Sequence, residues 1–330
     1  METNSFKRSL SLLDGILLVV GSMIGSGIFI VSTDIVQHLG SEAWLLVVWL
    51  LSGFITLAAA LSYGELSGMY PKAGGQYVYL REAYGSLFGF LYGWSFFAVI
   101  QTGTIAAVGV AFAKFAAYLW PSLGEQHILL QIGVFSIKAS QLVAIGLILL
   151  LTFINAQGVN GSKWIQSIFT FAKIAAIVLL VVCGFWAGHS LWQMNWQNAW
   201  TAFSITDNAT QISHELLQGK ALVFAIGSAM VGALFSSDAW NNVTFIAAEI
   251  KKPERNIGLS LLIGTVLVTI LYLSMNIMYL NVLSIQEIAH APDQRLALAA
   301  AMKIFGSAGT TIIAVMIMIS TFGCNNGLIL

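Results

Sequence analysis

The sequence predicts an all-α protein that crosses a membrane several times. Of its 330 residues, 58% are hydrophobic and 8% are charged, whereas about 25% of residues are charged in a typical soluble domain. Apolar segments recur along the whole chain and are long enough to cross a bilayer, which takes roughly 20 residues. The net charge of zero gives no argument for a nucleic-acid partner. The two cysteines lie in apolar segments and indicate no disulfide framework.

We expect eight membrane-spanning helices. The first apolar run is too long, and too often interrupted by glycine, for a cleaved signal peptide, so we expect it to remain as a helix. The third span is long enough to be tilted, and the fourth is short. In chain order, the expected spans are about 12–33, 43–65, 86–119, 140–157, 164–187, 220–248, 257–281 and 308–330.

The loops indicate the orientation. Two longer loops, near 188–219 and 282–307, carry polar residues, and we expect short interfacial helices in them. With a cytoplasmic N-terminus, eight Lys and Arg residues fall on the inside and five on the outside, and such a bias favours this orientation. The inside set is Lys7, Arg8, Lys72, Arg81, Lys163, Lys251, Lys252 and Arg255, and the outside set is Lys114, Lys138, Lys220, Arg295 and Lys303.

Two of the expected spans contain a polar break. The first span is interrupted by Gly21-Ser22-Met23-Ile24-Gly25-Ser26-Gly27, and the sixth by Phe235-Ser236-Ser237-Asp238. Non-helical backbone at membrane depth must be buried in protein or line a cavity, and paired breaks in two halves of a chain indicate a transporter binding site. Free N–H groups after the first break suit a carboxylate, and unwound carbonyls at the second suit an ammonium group. The sequence therefore predicts a carrier for a small solute.

Each break also has a structural interpretation. Gly21 and Gly25 form a GxxxG pair, which favours close helix packing as well as a binding site. An acidic residue at mid-membrane, as expected for Asp238, is a functional hypothesis by default. The alternative is that its carboxylate accepts hydrogen bonds from unwound backbone. Phe235 either closes over a bound solute or packs against its neighbours.

Lys173 is the third polar signal. It lies ten residues after Lys163, which is about 15 Å along a helix and places it near the bilayer centre. Three roles fit: a fixed cation where a related carrier binds sodium, a titrating group for proton coupling, or a donor to the carbonyls at a helix end. No metal-binding, P-loop or nucleophile–base motif occurs, so we expect neither an enzyme nor a cofactor.

Several motifs resemble the amino acid–polyamine–organocation superfamily. Ile24-Gly25-Ser26-Gly27-Ile28-Phe29 resembles its GSGIF signature, and Tyr70-Pro71-Lys72-Ala73-Gly74-Gly75-Gln76-Tyr77 its loop after helix 2. Trp240-Asn241-Asn242 and the later Glu249-Ile250-Lys251-Lys252-Pro253-Glu254-Arg255-Asn256 resemble the end of helix 6 and the loop to helix 7. Ile168-Phe169-Thr170-Phe171-Ala172-Lys173 resembles the helix 5 lysine segment of the L-amino-acid transporter branch, which includes bacterial serine/threonine and alanine–serine–cysteine exchangers.

The resemblance implies a LeuT-like fold of two inverted five-helix repeats, usually within twelve helices. The first repeat would be about 12–187, and about 220–330 would be an incomplete second repeat, in a single transporter domain. It also implies sodium-independent exchange of neutral L-amino acids by alternating access in the cell (inner) membrane. The expected partners are an amino acid and the lipid bilayer, with no partner subunit.

The resemblance also implies a set of site residues. The substrate carboxylate would meet the backbone after the first break, and the amino group would meet carbonyls of both breaks. Lys173 would take the place of a sodium ion, near Ser320, and Phe235 would be the gating aromatic. The residues expected at the substrate are Ser22, Met23, Gly25, Ser26, Gly27, Phe235, Ser236 and Asp238.

Two departures from the family pattern leave alternatives open. Helices 9 to 12 are absent, and the sequence ends in an apolar segment, so we expect a chain truncated after about eight helices. Asp238 stands where some branch members have glycine, which favours small substrates such as serine, threonine or alanine. The alternatives are a proton-coupled amino acid symporter in which Lys173 titrates, and a truncated scaffold or sensor that does not transport.

Overall fold

The computed structural model describes residues 8–71, 73–133, 135–157, 159–187, 191–208 and 211–329. Side chains are described throughout these ranges except at 132, 135, 159–165, 206–208 and 211–214. Lys7 and Lys72, two cations of the inside set, lie outside the described residues, as does the side chain of Lys163.

The described residues are mostly helical. Their α-helices are α1 (Leu12–Met23), α2 (Gly27–Leu39), α3 (Glu42–Met69), α4 (Gly75–Tyr84), α5 (Ser86–Ser95), α6 (Thr102–Leu119), α7 (Ala139–Asn155), α8 (Val159–Trp186), α9 (Trp192–Asn195), α10 (Lys220–Ser236), α11 (Pro253–Val282), α12 (Ile285–Ala289) and α13 (Leu296–Ile329). A π-helical segment, Phe96–Gln101, joins α5 to α6, and 3₁₀ turns occupy Pro121–Leu123, Trp240–Thr244, Ala247–Glu249 and Pro292–Gln294. The strands are β1 (Ile128–Ile132), β2 (Phe135–Lys138), β3 (Phe203–Asn208) and β4 (Gln211–Leu216).

The prediction of a helical protein with several membrane spans is confirmed. Among the described residues, five helices are long and apolar enough to cross a membrane, and a sixth span results if α1 and α2 count as one broken helix. The two halves of that broken helix are bent by 43°. The α7 and α10 helices are apolar but shorter, with 17 residues each.

The connections differ from the prediction in two places. The loop near 188–219 holds the short helix α9, but it also holds the antiparallel hairpin β3–β4, which was not expected. Its strand β3 packs against the end of α2, where Ile205 is buried beside Gly40, so tertiary contact stabilises a hairpin that would be marginal alone. The last helix begins at Leu296 instead of near 308 and bends at Gly306.

Glycines set the distance between α3 and α11, the most extensively packed pair of helices. A Cβ added to Gly64 on α3 would lie 3.2 Å from the Cα of Gly258 on α11, so the two backbones touch. Close approach through small residues is a common way for membrane helices to associate. This packing fixes α11, whose side chains contact both halves of the broken first span.

We expect Gly64→Leu to destabilise the fold, because the new side chain must push α3 away from α11 at a cost of about 1–3 kcal/mol. Gly146→Leu is the matched control, since it lies within α7 and nothing lies within 4 Å of the added Cβ. The measurement is the apparent melting temperature in detergent. An equal melting temperature for both variants would contradict the close α3–α11 contact.

Candidate functional site

The first break lies between the carbonyl end of α1 and the amide end of α2. The α1 helix ends at Met23, where Ile24 N–H donates to the carbonyl of Val20, and α2 begins at Gly27. Ser26 is the N-cap of α2 but makes no side-chain capping bond. In the described part of the chain, the amides of Gly25 and Ser26 have no protein acceptor. The break therefore presents free N–H groups at the positive end of a helix, an arrangement that binds anions.

The carbonyls at the end of α1, by contrast, all have a side-chain donor within reach. Each of the five consecutive carbonyls from Gly21 to Gly25 lies within hydrogen-bond distance of a side-chain donor. The Lys173 ammonium on α8 donates to Gly21 and to Ile24, at 2.8 Å each. This side chain is 1% exposed, so its charge lies inside the protein at the negative end of the α1 dipole.

Two side chains of α13 complete this arrangement. The Cys324 thiol donates to the carbonyl of Ser22 at 3.0 Å. The Ser320 hydroxyl lies 3.2 Å from the carbonyl of Gly25 and 3.4 Å from that of Ile24. Because an unpaired backbone group costs several kcal/mol in a membrane, these donors stabilise the broken conformation of the first span.

Tyr272 on α11 links the two breaks. Its hydroxyl lies 3.0 Å from the carbonyl of Met23 and 2.9 Å from that of Ser236. A phenol has one proton, so Tyr272 donates to only one of these carbonyls at a time. One carbonyl of the pair is therefore left with acceptor capacity for another donor.

A buried network holds Tyr272 in place. Its ring packs edge-on against Trp49 of α3, with centroids 5.1 Å apart. The Trp49 indole donates to Ser32, which donates to Asn276, at 3.1 and 2.6 Å. Asn276 in turn donates to the carbonyl of Tyr272 at 2.8 Å. The tyrosine is thus connected to α2 and α3 as well as to both breaks.

The second break follows α10. The amide of Asp238 donates to the carbonyl of Phe235 at 3.2 Å, and the chain then turns at Ala239, whose φ is +66°. A non-glycine residue in this left-handed conformation is uncommon. The Phe235 side chain is 47% exposed, and Asp238 is also exposed.

The two breaks lie directly against each other. A Cβ added to Gly27 would overlap the side chain of Ser236 and lie 3.0 Å from its Cα. The start of α2 therefore meets the end of α10, and the free amides of one break lie close to the carbonyl end of the other. A small molecule with a carboxylate and an ammonium group matches this arrangement.

The expected site residues fall into two groups in the structure. Gly27 touches Ser236, and the carbonyls of Met23 and Ser236 share the Tyr272 hydroxyl. Gly25 instead lies against Cys324 of α13, and the Ser22 hydroxyl is buried beside Gly327 with no partner among the described residues. Lys173 and Ser320 share the carbonyl of Ile24. Among the described residues, no group of three or more His, Cys, Asp or Glu could hold a metal ion.

Neither the role of Tyr272 nor the hydrogen bond of Cys324 is expected from the sequence. Tyr272 lies in an apolar helix and has no neighbouring motif, so only the polar Asn276 one turn later marks its position. Cys324 stands in an apolar segment, where a single cysteine predicts no particular partner. Both residues reach α1 across about 250 to 300 positions of sequence.

Comparisons with known proteins identify the relatives of this chain. The family described as "Amino acid permease" matches residues 10–330. The serine/threonine exchanger SteT of Bacillus subtilis (strain 168) is 31% identical, over 100% of this chain and 67% of that protein. The b(0,+)-type amino acid transporter 1 of Mus musculus is 29% identical, over 99% of this chain and 61% of its own length, and the Asc-type amino acid transporter 1 of Mus musculus is 28% identical, over 99% and 57%. The chain therefore spans about three fifths to two thirds of the length of these relatives.

We expect Tyr272→Phe to loosen both breaks, because it removes the hydroxyl that lies between their carbonyls. Losing this donor costs about 1–3 kcal/mol. Backbone amide hydrogen exchange should therefore become roughly 5- to 150-fold faster. The change should appear in the peptides that cover 21–28 and 233–240. Tyr279→Phe is the control for the second break: Tyr279 is equally buried on α11 but bonds only the carbonyl of Ile28, at 3.3 Å, so its loss should leave exchange in 233–240 unchanged. Unchanged exchange at the second break in Tyr272→Phe would contradict the bridging role.

Proposed function

Since this chain belongs to the amino acid permease family, within the L-amino-acid transporter branch of the amino acid–polyamine–organocation superfamily, we propose that it exchanges small neutral L-amino acids across the membrane without sodium. Members of the family are transporters and not enzymes. The observation that carries the proposal is the contact between the two breaks at Gly27 and Ser236. It brings free amides and carbonyls together at one point inside a membrane protein.

In the proposed complex the substrate carboxylate binds at the start of α2. The free amides of Gly25 and Ser26, with the first turn of the helix after Gly27, supply hydrogen bonds and a positive dipole end. These groups suit any α-amino acid, because every amino acid carries the same carboxylate. Recognition at this end would therefore select the class of substrate and not its side chain.

The substrate ammonium group would bind carbonyls of both breaks. The carbonyls of Met23 and Ser236 share one tyrosine proton, so one of them can accept from a ligand at any time. The carbonyls of Phe235 and Asp238 complete this side of the site. Phe235 is proposed to close over the bound amino acid, in line with its exposed ring beside the break.

Asp238 would narrow the pocket that receives the substrate side chain, and would thereby favour serine, threonine or alanine.

Lys173 supports the proposal that the cycle needs no sodium. Its ammonium group, together with the hydroxyl of Ser320, supplies the positive charge and donors that the end of α1 requires. A fixed protein cation at this position leaves no need for a metal ion to hold the broken helix. The same buried amine also supports a second candidate, proton-coupled uptake, in which Lys173 releases and rebinds a proton in each cycle.

Alternating access in this proposal follows from a LeuT-like arrangement of inverted repeats. Residues about 12–187 would form the first repeat, and about 220–330 would contribute to the second, each beginning with a broken helix. The protein would lie in the cell (inner) membrane with its N-terminus in the cytoplasm. One relative is described as a small subunit, so the expectation that this chain acts without a partner subunit stays a prediction.

The test is uptake of labelled L-serine into proteoliposomes, with and without unlabelled L-serine inside and with no sodium or pH gradient. We expect uptake only into loaded vesicles, because the empty carrier reorients slowly. Equal uptake into loaded and empty vesicles would contradict exchange. Uptake into empty vesicles that appears only with an inward proton gradient would favour the symporter. Binding of L-serine without any uptake would favour the non-transporting scaffold.

A second prediction concerns the contact between the breaks. Gly27→Ala should weaken L-serine binding roughly 5- to 150-fold, because the methyl group forces Ser236 away at a cost of about 1–3 kcal/mol. Gly227→Ala on α10 is the matched control, since nothing lies within 4 Å of its added Cβ. The measurement is the dissociation constant of labelled L-serine in detergent, and equal constants for the two variants would argue against the proposed site.

A further inference from the structure

A cavity of about 570 Å³ lies beside the connection between α11 and α13, away from the breaks. Its volume falls within the roughly 300–1,000 Å³ typical of small-molecule sites. Much of its wall is apolar and comes from Tyr118, Leu283, Leu298, Ala299 and Met302. None of these residues takes part in the proposed amino acid site.

Two cations and one carboxylate line this cavity, and each cation is paired with a carboxylate. Lys303 and Glu287 form an ion pair at 2.7 Å, and both side chains are partly exposed. Arg295 also lines the cavity, and its guanidinium group is held by the carbonyl of Lys114 and by Asp293, which is outside the cavity. The Lys303 ammonium is half-exposed and has donors beyond the one that meets Glu287, and the Nε of Arg295 is buried with no acceptor among the described residues, so both cations can still donate to an anionic group.

The position of the cavity relative to the membrane follows from its helices. Both α11 and α13 are long enough to span a bilayer, so the connection between them lies at a membrane surface. The apolar wall includes Met302 of α13, whose side chain is 48% exposed. A molecule in the cavity can therefore keep a charged end at the surface while its apolar part remains in contact with the bilayer.

We propose that this cavity binds an anionic phospholipid. The phosphate oxygens accept hydrogen bonds from Lys303 and Arg295, and part of an acyl chain lies against Leu298, Ala299 and Met302. The occupant is a lipid and not a soluble anion because the wall next to the cations is apolar and lies at the end of two helices long enough to span a bilayer. The site is independent of amino acid transport, so lipid binding is tested without reference to the proposed function.

The experiment is native mass spectrometry of the purified chain in detergent with phosphatidylglycerol, phosphatidylcholine or oleate added separately. We expect a retained phosphatidylglycerol adduct. Lys303→Glu should reduce it about fivefold or more, since each basic residue near a membrane surface contributes about that factor to the binding of anionic lipid. Lys220→Glu, the same charge change at an exposed lysine that does not line the cavity, should leave the adduct unchanged.

A second variant tests the apolar part of the site. Ala299→Trp fills the cavity without changing its charges and should also remove the phosphatidylglycerol adduct. Met302→Trp serves the same purpose at an exposed position if Ala299→Trp does not give a monodisperse protein. Equal adducts in the wild type and in the filled variant would overturn the proposal, as would equal binding of phosphatidylcholine. Retention of oleate alone would also overturn it, because a fatty acid and not a phospholipid would then be the occupant.

Discussion

The hydrogen bonding of the carbonyls at the end of α1 is the constraint on which much of this structure depends. A helix broken inside a membrane exposes backbone groups that water cannot reach, and each unpaired group costs several kcal/mol. Here the five carbonyls from Gly21 to Gly25 are met by side chains of three other helices. The break can exist only where α8, α11 and α13 bring Lys173, Tyr272 and the donors of α13 to it.

This arrangement divides the first break into an occupied side and an open side. The carbonyl side is held mostly by protein donors, including a buried ammonium group at the negative end of the α1 dipole, and Met23 shares its donor with Ser236. The amide side, at the start of α2, has no protein acceptor among the described residues. A ligand that supplies a carboxylate completes the hydrogen bonding there, which is the physical reason for proposing an amino acid at this point.

Much of the helical organisation could be predicted, because it depends on local composition. An apolar run of sufficient length predicts a span wherever it occurs, and the breaks at 21–27 and 235–238 are visible as glycine and serine within such runs. The hairpin β3–β4 could not be predicted in this way, since its strands are short and depend on packing against α2. The early start of α13 was missed because Lys303 and the turn at Gly306 interrupt its apolar pattern.

The sequence by itself determined that this chain is a helical membrane protein of the amino acid permease family, and which segments are broken. It also limited Lys173 to a few roles, because a charge at that depth must have a partner. Only the tertiary structure decided which partners Lys173 has, that Tyr272 lies between the two breaks, and that Gly27 touches Ser236. These contacts join residues up to about 300 positions apart, and no local pattern of residues encodes the distance between helices that are so far apart in the chain.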